Sequence, residues 1–180
     1  MKIGDILYFA PGIRFRDVDV RGAQLPDQYR RRIIGFYVEP AEAAAAANHA
    51  FASGVLLVSC IDALARVRFN DPKVGNRFKR FAREELPSFS TGSRSVRFYN
   101  EFRNGLVHEA RIKQGGQFSL EIGSTVDELD GSMVINPTFL ASEVRASVNA
   151  FAELLYRDRA ARQALGDSLS RDHLKDFAAG

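Results

Sequence analysis

Apolar side chains recur along most of the chain at the spacing of an α-helix. After an N-terminal arm, residues 1–26, a first helix is predicted from Asp27 until Pro40 interrupts it. A second helix, over about 41–68, carries so many apolar residues that we expect it at the centre of the core. A further long helix begins at Pro137. Its apolar side consists of residues three or four apart: Leu140, Val144, Val148, Phe151 and Leu155.

Shorter elements are predicted between the long helices. A short helix with phenylalanines on its buried side ends before Pro87, and the spacing predicts another helix over about 94–112. Residues 117–122 alternate between polar and apolar, as in a half-buried strand, and 132–135 is the expected partner strand. In the N-terminal arm only Ile6–Ala10 has the pattern of a strand, so we expect the arm to be irregular.

Together these elements predict a mainly α fold: a bundle of about five helices with a small β-hairpin insert and an irregular N-terminal arm. The sequence has no internal repeat and no linker long enough to separate domains. We therefore expect a single domain over residues 1–180. Its parts are the arm, the core helices, the hairpin and the C-terminal helices, over residues 1–26, 27–112, 113–136 and 137–180.

Composition adds a weak indication of a phosphate-bearing partner. The formal net charge is only +3, but 20 arginines stand against 5 lysines. The planar guanidinium group matches the geometry of phosphate and carboxylate, so this bias favours such partners. A GC-rich genome that prefers arginine codons explains the bias equally well.

The sequence also indicates the compartment. Cys60 is the only cysteine, so no disulfide can form within the chain. Asp5, Arg14 and Arg16 surround a short apolar run, unlike the pattern of a signal peptide. The longest apolar segment contains Asp62 and is shorter than the roughly 20 residues that a spanning helix needs. We expect a soluble, cytoplasmic protein without a membrane partner.

Several kinds of chemistry are disfavoured. The sequence has no HExxH segment, no paired cysteines and no cluster of carboxylates at metal-ligand spacing. It also has no signature of a nucleophilic serine. We therefore expect neither a metal ion nor a cofactor.

The strongest chemical signal is a trio of residues within the predicted helix over 94–112. Arg103, Asn104 and His108 lie within six residues of one another. A guanidinium group stabilises negative charge, an amide orients a substrate, and an imidazole transfers protons near neutral pH. Such a set can act on a phosphodiester without a metal ion or a cofactor.

Helical phase separates this segment into two faces. Phe98, Phe102 and Leu106 fall on one arc and are expected to face the core, together with Tyr99. Arg103 lies at the margin. The opposite arc is polar and includes the candidates for phosphate binding: Arg97, Asn100, Asn104, His108 and Arg111. The alternative interpretation is a solvated helix face on which His108 is incidental.

The order of the two central helices resembles that of a known family. A long apolar helix containing Leu56–Leu64 precedes a helix in which Arg103, a polar residue and then His108 follow one another. Over roughly 41–112 this resembles the HEPN superfamily of small helical ribonucleases and nucleotide-binding proteins. The first forty residues and the hairpin are not covered by the resemblance.

The resemblance implies a HEPN-like helical bundle that acts as a metal-independent endoribonuclease. Arg103, Asn104 and His108 would be catalytic, the products would end in a 2′,3′-cyclic phosphate, and Arg97, Asn100 and Arg111 would bind RNA. It also implies a homodimer, and a role as a toxin or defence effector controlled by a partner such as a cognate antitoxin.

Two other functions remain open. The first is a non-catalytic HEPN-like module that binds RNA, a nucleotide or a protein through the same groove. The second is a helical interaction protein without a nucleic-acid role. Convergence of Arg103 and His108 on one phosphate-sized site would favour the enzyme or the binding module, and divergence would favour the interaction protein.

Overall fold

The computed structural model describes residues 2–3, 5–109 and 111–179, without the side chains of residues 3, 107–109 and 178–179. The described part is mainly helical, as predicted, with two small β-sheets. The helices are α1 (Leu25–Ile33), α2 (Glu39–Ala46), α3 (Ala50–Arg68), α4 (Val74–Glu85), α5 (Arg94–Arg97), α6 (Asn104–Glu109), α7 (Pro137–Arg157), α8 (Arg159–Asp172) and α9 (Leu174–Ala179). The strands are β1 (Lys2–Ile3), β2 (Ile6–Ala10), β3 (Ile13–Arg14), β4 (Gln117–Phe118), β5 (Val126–Leu129) and β6 (Ser132–Ile135).

The chain forms two compact units, of residues 1–36 with 148–180 and of residues 37–147. In the first unit, β1, β2 and β3 form an antiparallel sheet. The expectation of an irregular N-terminal arm is therefore wrong. The strand predicted at Ile6–Ala10 is present as β2, but its partners β1 and β3 have two residues each, too few for an alternating pattern to identify them. Phe9 and Phe15 pack edge to face in the buried part of this unit.

The second unit contains the candidate site. The segment predicted as one helix over about 41–68 is two helices, α2 and α3, separated at residues 47–49. Asn48 has a φ of +63°, which no residue within an α-helix adopts and which asparagine tolerates better than most residues. The alanine-rich sequence favours a helix on both sides of this break, so local propensity alone did not reveal it.

The hairpin was predicted in the right region but with the wrong first strand. The antiparallel partner of β6 is β5, and Asp130 and Gly131, both at positive φ, form the tight turn between them. Residues 117–118, which were expected in the hairpin, form β4 and pair with β6 in parallel. A two-residue Asp-Gly turn matches the twist of a hairpin, whereas the connection from β4 to β6 is long.

α3 is the one helix among the described residues that is long and apolar enough to cross a membrane. The buried share of its apolar window is 44%. Core helices of soluble proteins pass the same test of length and composition, so this is weak evidence for a membrane span. Cytoplasmic location stays a prediction.

Candidate functional site

The candidate site lies on one continuous helix of the second unit, residues 94–109, which we call the motif helix. It consists of α5, a π-helical turn over Phe98–Arg103, and α6. It was predicted to continue to residue 112, but Arg111 and Ile112 are not helical. π-Helical turns are rare and often occur at functional sites. Arg103 is the last residue of this turn.

The π-helical turn changes which side chains face the core. A π-turn holds more residues than an α-turn, so α-helical phase misplaces some of its side chains. Phe98 and Phe102 are fully buried, as predicted. By α-helical phase Glu101 falls at the edge of the polar arc, but in the structure it is only 2% exposed.

Aromatic packing holds the motif helix in place. Phe98 stacks on Phe89 with ring centres 4.3 Å apart, and it meets Phe78 of α4 edge to face at 5.3 Å. Phe102 contacts Phe118 of β4 at 5.1 Å. Such pairs contribute about 0.5–1.5 kcal/mol each beyond the burial of their area. They anchor the motif helix against α4 and β4.

The end of the motif helix is closed by the chain that follows it. The backbone N–H of Lys113 donates to the carbonyl of Glu101 at 2.8 Å, and that of Arg111 donates to the carbonyl of Gly105 at 3.4 Å. A Cβ atom on Gly105 would lie 2.2 Å from the carbonyl oxygen of Arg111. Only glycine therefore lets the returning chain pass this close.

Arg103 is held by a carboxylate from another helix. Its Nη2 donates to Oδ2 of Asp62, on α3, at 2.9 Å. The Arg103 side chain is 11% exposed and that of Asp62 is 27% exposed. Within the described part of the chain, Nε of Arg103 and Oδ1 of Asp62 are buried without a hydrogen-bond partner. The pair is thus joined by a single hydrogen bond and orients the guanidinium group without satisfying it.

Asp62 is the site residue that the sequence analysis did not include. In the sequence, Asp62 stands out only as a charge within an apolar segment. A carboxylate in the middle of an apolar core helix needs a partner or water, because burying it unpaired is costly. That rule was the available signal. The rule does not identify which residue pairs with Asp62, because that residue, Arg103, lies 41 positions away in the sequence.

Arg97, predicted to bind RNA, is engaged by protein groups. Its Nε lies 2.6 Å from Glu101, its Nη1 lies 3.2 Å from Glu128 of β5, and its Nη2 donates to the carbonyl of Gly131 at 3.0 Å. The hydrogen bond to Glu101 raises the pKa of Arg97 above its ordinary value. Arg97 therefore ties the motif helix to the β5–β6 hairpin. Its contact with RNA stays a prediction.

The other predicted residues lie on the same segment. Asn100 and Arg111 are exposed, and Asn104 is half-buried next to Arg103. His108 follows Asn104 by one turn of α6. The side chain of His108 lies outside the described residues, so its convergence with Arg103 stays a prediction.

Other chemistry-bearing groups of the described chain do not add to the site. Cys60 is fully buried in α3, and burial raises the pKa of its thiol. In the part of the chain that the structure describes, no group of three or more histidine, cysteine, aspartate or glutamate side chains is arranged to hold a metal ion.

Comparisons with protein-family models, with curated proteins and with solved structures find no match to this chain. The HEPN resemblance therefore depends on the sequence pattern of the two central helices.

Proposed function

We propose that the protein is a metal-independent endoribonuclease of the HEPN type. The observation that supports the proposal is how the guanidinium group of Arg103 is held and where Arg103 lies on the motif helix. Its guanidinium group donates one hydrogen bond to Asp62, which orients it, and its Nε has no hydrogen-bond partner among the described residues. Arg103 stands directly before Asn104 and five residues before His108. A guanidinium group that a carboxylate holds in one orientation is preorganised for charge that develops in a transition state.

The proposed reaction uses the nucleophile that RNA supplies. The 2′-oxygen attacks the adjacent phosphorus and loses its proton, and the bond from phosphorus to the 5′-oxygen breaks while that oxygen gains a proton. The products are a 2′,3′-cyclic phosphate and a 5′-hydroxyl. Arg103 stabilises the negative charge on the phosphorane-like transition state, Asn104 holds the phosphate, and His108 carries one of the two protons.

The second proton requires a second group. The motif helix offers one histidine, so we propose a homodimer whose axis passes close to the two motif helices. A second His108 and a second Arg103 would then face the same cleft. As in the toxin or defence systems that the resemblance implies, a cognate antitoxin would control the activity.

The ion pair also supports a second candidate function. Asp62 neutralises part of the charge of Arg103, and a carboxylate this close weakens the stabilisation of a dianionic transition state. A HEPN-like module that binds RNA or a nucleotide without cutting it would tolerate this.

Incubation with total RNA in excess chelator separates these functions. Wild type should cleave, His108→Ala should not, and His49→Ala should cleave like wild type because His49 is an exposed histidine before α3. Proton transfer contributes about 10²–10⁴ in rate, so the loss should be at least a hundredfold.

The other outcomes are equally informative. Binding of RNA by all three proteins with cleavage by none supports the binding module. If the protein neither binds nor cleaves RNA, the result supports a helical interaction protein. Cleavage that survives His108→Ala, or that requires a divalent ion, overturns the mechanism.

A further inference from the structure

Tyr99 of the motif helix contacts two cations from different helices. The ammonium nitrogen of Lys79, on α4, lies 5.6 Å from the centre of its ring. The guanidinium carbon of Arg103 lies 5.9 Å from the same ring. Both distances are within the range of cation–π attraction, about 6 Å. The same ring is therefore within reach of Lys79 and of the proposed catalytic arginine.

α4 fixes the position of this ring. A Cβ atom on Gly75 would lie 2.8 Å from Cζ of Tyr99, so the absence of a side chain there gives the ring its space. The ring of Phe78 packs against Tyr99 with centres 5.7 Å apart. Lys79 follows Phe78 directly, so the packing that holds Tyr99 also holds the backbone of Lys79.

Of the two cations that contact Tyr99, only Arg103 is paired with a carboxylate of a described residue. Arg103 is paired with Asp62. Lys79, by contrast, forms no ion pair with any described residue, and its ammonium group approaches the face of the Tyr99 ring instead. Lys79 and Tyr99 are both half-buried and so reach the surface. A cation that approaches an aromatic ring instead of a carboxylate remains available to an anion.

We propose that Lys79 binds a phosphate of single-stranded RNA next to the one at Arg103, and that Tyr99 positions both cations through its ring. This inference rests on the proposed function. Grooves that bind single strands combine cations along the backbone with aromatic side chains, and Lys79, Tyr99 and Arg103 supply that combination on two adjacent helices. Lys79 is thus a phosphate-binding residue, and Tyr99 is a positioning residue.

The test is the salt dependence of RNA binding. A fluorescein-labelled, single-stranded RNA of mixed sequence is titrated by anisotropy in chelator, with every variant made in full-length His108→Ala so that no cleavage occurs. Loss of one phosphate contact lowers the slope of log K against log salt by about 0.7 for a single strand. Lys79→Gln should show this loss, and Lys79→Arg should restore the slope.

Matched controls separate this contact from a general effect of charge. Lys175→Gln removes the same charge at an exposed position in the first compact unit and should leave the slope unchanged. Tyr99→Leu should lose affinity and lower the slope at least as much as Lys79→Gln, and Tyr99→Phe, which keeps the ring, should rescue both. Thermal melting by circular dichroism verifies that each variant is folded.

The outcomes distinguish the inference from the function on which it rests. If the parent binds RNA and Arg103→Gln weakens binding, but Lys79→Gln changes the slope no more than Lys175→Gln, the inference is overturned and the proposed function stands. If the parent neither binds RNA nor, with His108 restored, cleaves it, both are overturned.

Discussion

Replacement of Asp62 by asparagine should separate the structural role of the ion pair from its proposed role in catalysis. The substitution keeps the size and shape of the side chain and removes its charge. Arg103 then loses a charge-assisted hydrogen bond of 2.9 Å. Because the amide can present its nitrogen or its oxygen, the guanidinium group is no longer held in one orientation.

The expected cost lies between two limits. Exposed ion pairs contribute about 0–1 kcal/mol, and breaking a fully buried pair costs about 3–5 kcal/mol. With side chains 11% and 27% exposed, the Arg103–Asp62 pair lies between these cases. We expect Asp62→Asn to lower the free energy of unfolding by about 1–2 kcal/mol. For a chain of this length that corresponds to a fall in Tm of about 2–8 °C.

A double-mutant cycle with Arg103→Gln measures the pair itself. Denaturant unfolding of wild type, both single variants and the double variant should give a coupling energy of about 1–2 kcal/mol. Asp5→Asn, at an exposed aspartate of the first compact unit, is the control for the change in charge. A coupling below about 0.5 kcal/mol, the usual scatter of additivity, would refute the reasoning.

The same variant should have opposite effects on binding and on cleavage. Removal of a negative charge beside the proposed phosphate site should strengthen RNA binding, while the loss of orientation of Arg103 should lower the rate of cleavage. Anisotropy and single-turnover cleavage measure the two quantities separately. If both fall in proportion to the loss of folded protein, Asp62 has only a structural role.

Three further predictions concern the packing and the ion pairs that hold the candidate site in place. Gly105→Ala should lower the free energy of unfolding by about 1–3 kcal/mol in denaturant melts, because its Cβ would meet the carbonyl oxygen of Arg111 at 2.2 Å. Gly123→Ala, in open space, should have little effect. Arg97→Gln should lower the Tm more than Arg97→Lys, because Glu101 is buried and would lose its cation; equal shifts would contradict this. Cys60 should react with a thiol reagent only in denaturant, since the native side chain is fully buried; fast labelling at native conditions would contradict the packing of α3.

Elements that depend on local periodicity were predictable from the sequence. The spacing of Phe98 and Phe102 placed both side chains in the core, and the helix that begins at Pro137 was predicted with its first residue correct. The Asp130–Gly131 dipeptide is also a strong local signal for the tight turn of the hairpin, although the sequence prediction placed the first strand at residues 117–122. These features are set by residues a few positions apart.

The arrangement of the candidate site was decided by the tertiary structure. The sequence by itself determined that Arg103, Asn104 and His108 share one helix, because helical phase and spacing are local properties. Only the fold brought Asp62 to Arg103, Glu128 to Arg97 and Lys79 to Tyr99, since each pair joins residues far apart in the chain. The fold also decided how each cation is held, because it brings a carboxylate to Arg103 and the face of Tyr99 to Lys79.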